Sequence, residues 1–210
     1  MKQENTKWEK IAEAYKQIFI VVGLQAYQTT DEFMNGEGAL LNMTARGREV
    51  RPFIINALMD YFVKEYCDRG ELPFYAEERK NSRHNSPFYL FRGENLMFTI
   101  SRVAKDGGFP RKADFRSGFS LNNDQISLFP ELETNILKEG AYAVLTHGGK
   151  EELEFVRWGL PRAGEDAWIE NVSLFDRKAP HIAVAPAPAI EVKKPKLKKF
   201  VEERLEEGLK

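Results

Sequence analysis

Arg79 and His84 stand with four residues between them in the stretch "RKNSRH". A histidine can move a proton to or from an attacking or leaving oxygen, and a fixed guanidinium can meet the charge that collects on a phosphorane. The pair therefore has the chemistry of phosphodiester cleavage, on RNA or on DNA. Its setting weighs against it. The stretch precedes a strand-like segment and is flanked by turn formers, and in a chain with 31 Lys and Arg the spacing arises easily by chance.

Other routes to catalysis are thinner. His84, His147 and His181 lie in three separate segments, none with a Cys, His or carboxylate at ligand spacing, so neither a metal nor a cofactor is expected. His147 reads as an exposed residue at a hairpin turn. Glu94, Asp106, Asp114 and Asp124 could supply the acids of a metal-dependent nuclease, but no acid-x-Lys falls on a readable strand. Gly107-Gly108 and Gly148-Gly149 do not extend to a phosphate-binding loop, and no serine sits in a nucleophile elbow. The balance is against an enzyme.

Charge is more informative than chemistry. Between Arg79 and Arg116 nine Lys and Arg face three acids, a net +6, so the rest of a chain whose total is −1 carries −7. Within that stretch "RVAKDGGFPRKADFRSGF" combines Arg102, Lys105, Arg111, Lys112 and Arg116 with Phe109, Phe115 and Phe119. Cations that meet phosphates beside rings that stack on bases suit single-stranded or structured nucleic acid. The competing expectation is a long loop pinned by inward-turned phenylalanines, with its cations in water.

The end of the chain suggests a second contact. Residues 179–194 have the Ala/Pro/Lys composition of an extended tether. Residues 195–210 then place Leu197, Phe200, Val201, Leu205 and Leu209 on one helical stripe. The charges oppose that helix: lysines crowd its start and glutamates its end, against the macrodipole. So short a helix is marginal alone and is expected to form when docked on a protein partner or on a second copy of the chain.

The elements that would carry these residues read as an α+β domain over 1–178. A helix starts at the capping spacing Thr6 to Glu9, places Trp8, Ile11, Ala12, Tyr15, Ile18, Phe19 and Val22 on one face, and is expected to stop at Gly23. Thr29 to Glu32 repeats the capping spacing and suggests a second, short helix. Another long helix spans about 48–69, with Pro52 in its first turn, Gly70 as its stop, and a stripe of Val50, Phe53, Ile54, Ala57, Leu58, Tyr61, Phe62 and Tyr66. Two hairpins follow, 87–91 with 96–103 and 141–147 with the strand after Gly148-Gly149, and 168–174 makes a fifth strand. The expected fold is an antiparallel sheet of about five strands with both long helices on one face.

Composition bounds the class. Cys67 has no intrachain disulfide partner and reads as a small buried side chain. The polar start "MKQENTKWEK" carries no signal pattern, and "IFIVVGL" is too short to span a bilayer. The expectation is a cytoplasmic, non-enzymatic binding, adaptor or regulatory protein with no membrane contact. Nuclease activity through His84 and structural self-association are the alternatives.

Overall fold

The computed structural model describes residues 7–81, 87–128 and 140–178. His84 and the whole of 179–210, with Leu197, Phe200, Val201, Leu205 and Leu209, lie outside the described residues.

Helix α1 (Lys7–Asn35) is unbroken through the expected stop. Gly23 is buried, and a Cβ there would stand 2.8 Å from Leu153 Cδ2, so this glycine marks a close approach to the turn before a strand. Thr29 and Thr30 also lie inside α1, and the Thr30 hydroxyl donates to the Ala26 carbonyl at 2.7 Å, satisfying itself within the helix. Two short helices, α2 (Ala39–Asn42) and α3 (Ala45–Arg48), lead into α4 (Arg51–Asp68). Pro52 occupies the first turn of α4, and Gly70, at φ +74°, ends it with the Glu71 amide donating back to the Tyr66 carbonyl at 3.0 Å.

The buried stripe of α4 is rotated from the expected one. Ile55, Met59, Phe62, Val63, Tyr66 and Cys67 are buried, whereas Val50, Phe53, Ala57 and Tyr61 are exposed. The helix is apolar on more than one face, so periodicity alone could not choose which face meets the core.

The sheet has six strands in sequence order: β1 (Tyr75–Lys80), β2 (Pro87–Arg92), β3 (Leu96–Arg102), β4 (Ala141–Gly148), β5 (Phe155–Pro161) and β6 (Trp168–Asp176). Neighbours pair antiparallel except β3 and β4, which run parallel from Leu96↔Ala141 to Arg102↔His147. A parallel pair needs a crossover. It includes α5 (Asp114–Leu128), which takes in the second half of the stretch expected to be a loop. The extra strand, β1, is "YAEERK": an exposed, charged edge strand has no apolar alternation to announce it.

Both faces are covered. α1 and α4 pack on one side, where Phe98 sits among Phe19, Phe74, Phe91 and Trp158 at ring separations of 5.8, 5.0, 4.8 and 5.2 Å. Each such pair adds about 0.5–1.5 kcal/mol beyond the area it buries. On the other side α5 covers Leu90, Met97, Tyr142 and Val144 through Phe119. The half-buried alternation expected for β3 is therefore replaced by burial on both faces from Leu96 to Ser101.

Candidate functional site

After β3 the chain turns toward the face that α5 covers, while the first half of α4 stands over the opposite face. A groove of roughly 570 Å³ opens between them, beyond the carboxyl end of β3. In sheets with parallel strands this is where ligands commonly bind, because the flanking helices diverge there. Phe53, Asn56 and Asp60 come from α4, Phe88 and Tyr89 from β2, Arg102 from β3, and Arg111, Lys112, Phe115 and Arg116 from the loop and the start of α5.

Five of the seven residues expected to contact nucleic acid meet in this groove: Arg102, Arg111, Lys112, Phe115 and Arg116. The other two do not. Phe109 packs on Trp168 with ring centroids 4.6 Å apart, and Lys105 is exposed on the turn beyond β3. That turn is fastened to the far strands, since Trp168 Nε1 donates to the Gly107 carbonyl at 3.1 Å and Arg157 holds Asp106 at 2.5 Å. The phenylalanines do pin the segment: Phe115 stacks on Phe88 at 4.0 Å and Phe119 packs on Tyr142 at 5.3 Å.

The four cations of the groove divide into frame and contact. The Arg116 guanidinium donates to Ser101 Oγ at 2.6 Å and to the Arg111 carbonyl at 2.5 Å, and lies over the Phe115 ring. Burial lowers its pKa, while the Tyr142 hydroxyl beside it works the other way. Arg102 donates to the Gly149 carbonyl at 2.6 Å, tying β3 to the β4–β5 turn. Both arginines also bury an Nε that has no hydrogen-bond partner. Arg111 and Lys112 are exposed by contrast. Lys112 makes only a 3.5 Å surface pair with Asp166, of the kind worth about 0–1 kcal/mol.

Two acids line the groove, Glu49 and Asp60, and the second is unusual. Asp60 has no hydrogen bond or ion pair among the described residues, and burial pushes its carboxyl up to about 8. It is therefore neutral near pH 7 and does not repel an anion. One turn earlier, Asn56 Oδ1 stands 3.2 Å from His147 Nε2. An amide oxygen only accepts, so that nitrogen donates, and in a neutral ring Nδ1 then accepts from the Tyr27 hydroxyl at 3.3 Å. His147 is not an exposed turn residue. It is wholly buried, and desolvation aided by the charge of Arg102 depresses its pKa to about 3.

Arg79 lies on β1, outside the groove. Its guanidinium forks onto Glu77 at 2.8 and 3.1 Å and lies 5.9 Å from the Phe119 ring centroid. Cys67 is buried, and desolvation raises its thiol to about 12. Among the described residues no group of three or more His, Cys, Asp or Glu could hold a metal ion, and no helix is long and apolar enough to cross a membrane.

Sequence reading overlooked the α4 side of the site. Phe53 was assigned to the core, and neither Asn56 nor Asp60 drew attention, although two polar residues one turn apart on an otherwise apolar helix are a legible signal. Comparison of the chain with protein-family models, with curated proteins and with solved structures gave no match.

Proposed function

We propose that this chain is a non-enzymatic binding protein whose groove engages single-stranded or structured nucleic acid. One juxtaposition supports the reading: exposed Arg111 and Lys112 share a groove with the ring of Phe53, which is 75% exposed, while Arg102 and Arg116 build its floor. Phosphates need mobile surface cations, and unpaired bases need an open aromatic face. The neutral Asp60 adds no negative charge to the groove. A nuclease reading has no comparable support, because Arg79 is already engaged by Glu77.

The test is binding of RNA and DNA oligonucleotides across a salt series. Removing Arg111 and Lys112 together should weaken binding and flatten the log–log salt slope by about 1.4, since each phosphate contact to a single strand contributes roughly 0.7. Binding indifferent to salt, or unchanged in R111A/K112A, defeats the reading. A second element of the proposal concerns residues 195–210, whose apolar stripe would dock on a protein, with self-association as the competing result.

A further inference from the structure

We infer that the groove takes one unstacked nucleotide, its base laid on Phe53 and its Watson–Crick edge met by Asn56 and Asp60. This rests on the nucleic-acid reading above and adds to it a base preference. Phe53, Asn56 and Asp60 lie at i, i+3 and i+7 on α4, so one helical face presents a ring and then two polar groups to the groove. The ring is exposed although it belongs to a helix with a well-filled core face. A volume of roughly 570 Å³ falls within the usual range for small-molecule sites.

The two polar groups have defined hydrogen-bonding character. His147 takes the Asn56 oxygen, which leaves the amide NH₂ as a donor with no partner among the described residues. Asp60 is likewise unpartnered. A protonated Asp60 presents an acceptor and a donor, and Asn56 adds a second donor. That acceptor–donor–donor row complements cytosine, whose edge runs N4–H₂, N3, O2. An ionised Asp60 presents two acceptors beside the Asn56 donor, the complement of guanine O6, N1–H and N2–H₂. With its proton on the other oxygen, the same neutral carboxyl gives a donor–acceptor–donor row that complements uracil O4, N3–H and O2, whereas adenine matches no row in full. The proton on Asp60 thus chooses between a pyrimidine and guanine.

The charged and titratable groups that share the groove with Asp60 are Glu49 before α4, Tyr89 from β2, Arg102 from β3, Arg111 and Lys112 from the loop, and Arg116 from α5. Burial, rather than any of these, sets its raised pKa. Incoming phosphate would bind to the exposed pair Arg111 and Lys112, and His147 acts as a positioning residue by fixing the amide of Asn56.

RNA hexamers of the form AAAXAA, bound to the full chain at about pH 6.5 and about pH 9, on either side of the Asp60 titration, test the inference. At the lower pH, X = C and X = U should bind about tenfold tighter than X = A, and at the higher pH X = G should gain on both. Asp60→Asn cannot ionise and should keep the pyrimidine preference at both pH values. Asp60→Ala and Asn56→Ala should each erase the preference, with melting temperature as the check on folding. Equal affinity for all four bases, or a preference that survives Asp60→Ala, overturns the inference. If the hexamers bind alike but R111A/K112A still weakens them, only the base reading fails. If none binds, the nucleic-acid reading fails with it.

Discussion

Asp60 and His147 are both held neutral by burial, and their effects on stability have opposite signs. His147 has a folded pKa near 3 against an ordinary value of about 6.5, so in acid the unfolded chain takes up a proton that the folded chain refuses. Its contribution is complete above about pH 6.5 and is lost as pH falls toward 3, at up to about 1.4 kcal/mol per pH unit. Asp60, raised to about 8, gives the reverse: the folded chain keeps a proton that the unfolded chain releases above about pH 4. Its contribution is complete below that and falls away as pH rises to 8. Between about pH 4 and 6.5 the two slopes oppose and largely cancel, so Asp60 alone should be visible from about 6.5 to 8. Melting temperatures should therefore decline over that window in the wild-type chain and stay level in Asp60→Asn. A decline of equal size in both would show that the folded chain does not hold a proton on Asp60. Neither residue was legible from sequence, because an acid and a histidine take their pKa from neighbours contributed by other segments.

At the scale of elements, α5 is the least expected and depends most on its neighbours. Ser117, Gly118, Ser120, Asn122 and Asn123 are weak helix formers, and the first two fall in "DFRSGF", which reads as loop. The helix is held from outside itself. Asn123 donates to the Tyr142 and Pro161 carbonyls at 2.7 and 2.9 Å and accepts from the Tyr142 amide at 2.8 Å, joining α5 to β4 and β5. Asn123→Ala leaves these backbone groups buried and unpaired, and should cost roughly 2–4 kcal/mol on denaturant unfolding. A loss below about 0.5 kcal/mol would mean that water or a shift of α5 satisfies them. Because α5 carries Phe115 and Arg116 to the groove, the same variant should weaken oligonucleotide binding. α4 and the two expected hairpins were legible by contrast, since Pro52, Gly70 and the alternating strands are signals internal to each segment.

For the whole molecule, the uneven charge seen along the chain becomes a spatial arrangement. Arg102, Arg111, Lys112 and Arg116 gather at one end of the sheet, and every residue of the groove lies between Glu49 and Arg116. The body that forms the groove closes within residues 7–178. A chain truncated after Lys178 should bind oligonucleotides as the full chain does, within about twofold, while losing any protein captured through 195–210 or any self-association measured by light scattering. A larger loss of oligonucleotide affinity would place the tail in the nucleic-acid contact and merge two functions that the proposal keeps apart.

Sequence by itself determined the mixed helix-and-strand class, the position of α4, the strands β2 to β6 and the basic, aromatic character of 102–119, because each depends on periodicity, end signals or composition within one segment. The tertiary structure decided the rest: that α1 passes Gly23, that α4 turns Phe53 outward, that β3 and β4 run parallel beneath α5, and that Asn56 and Asp60 face the arginines of the loop. Those outcomes depend on which surfaces bury each other across long separations in the chain, and local pattern carries no information about that choice.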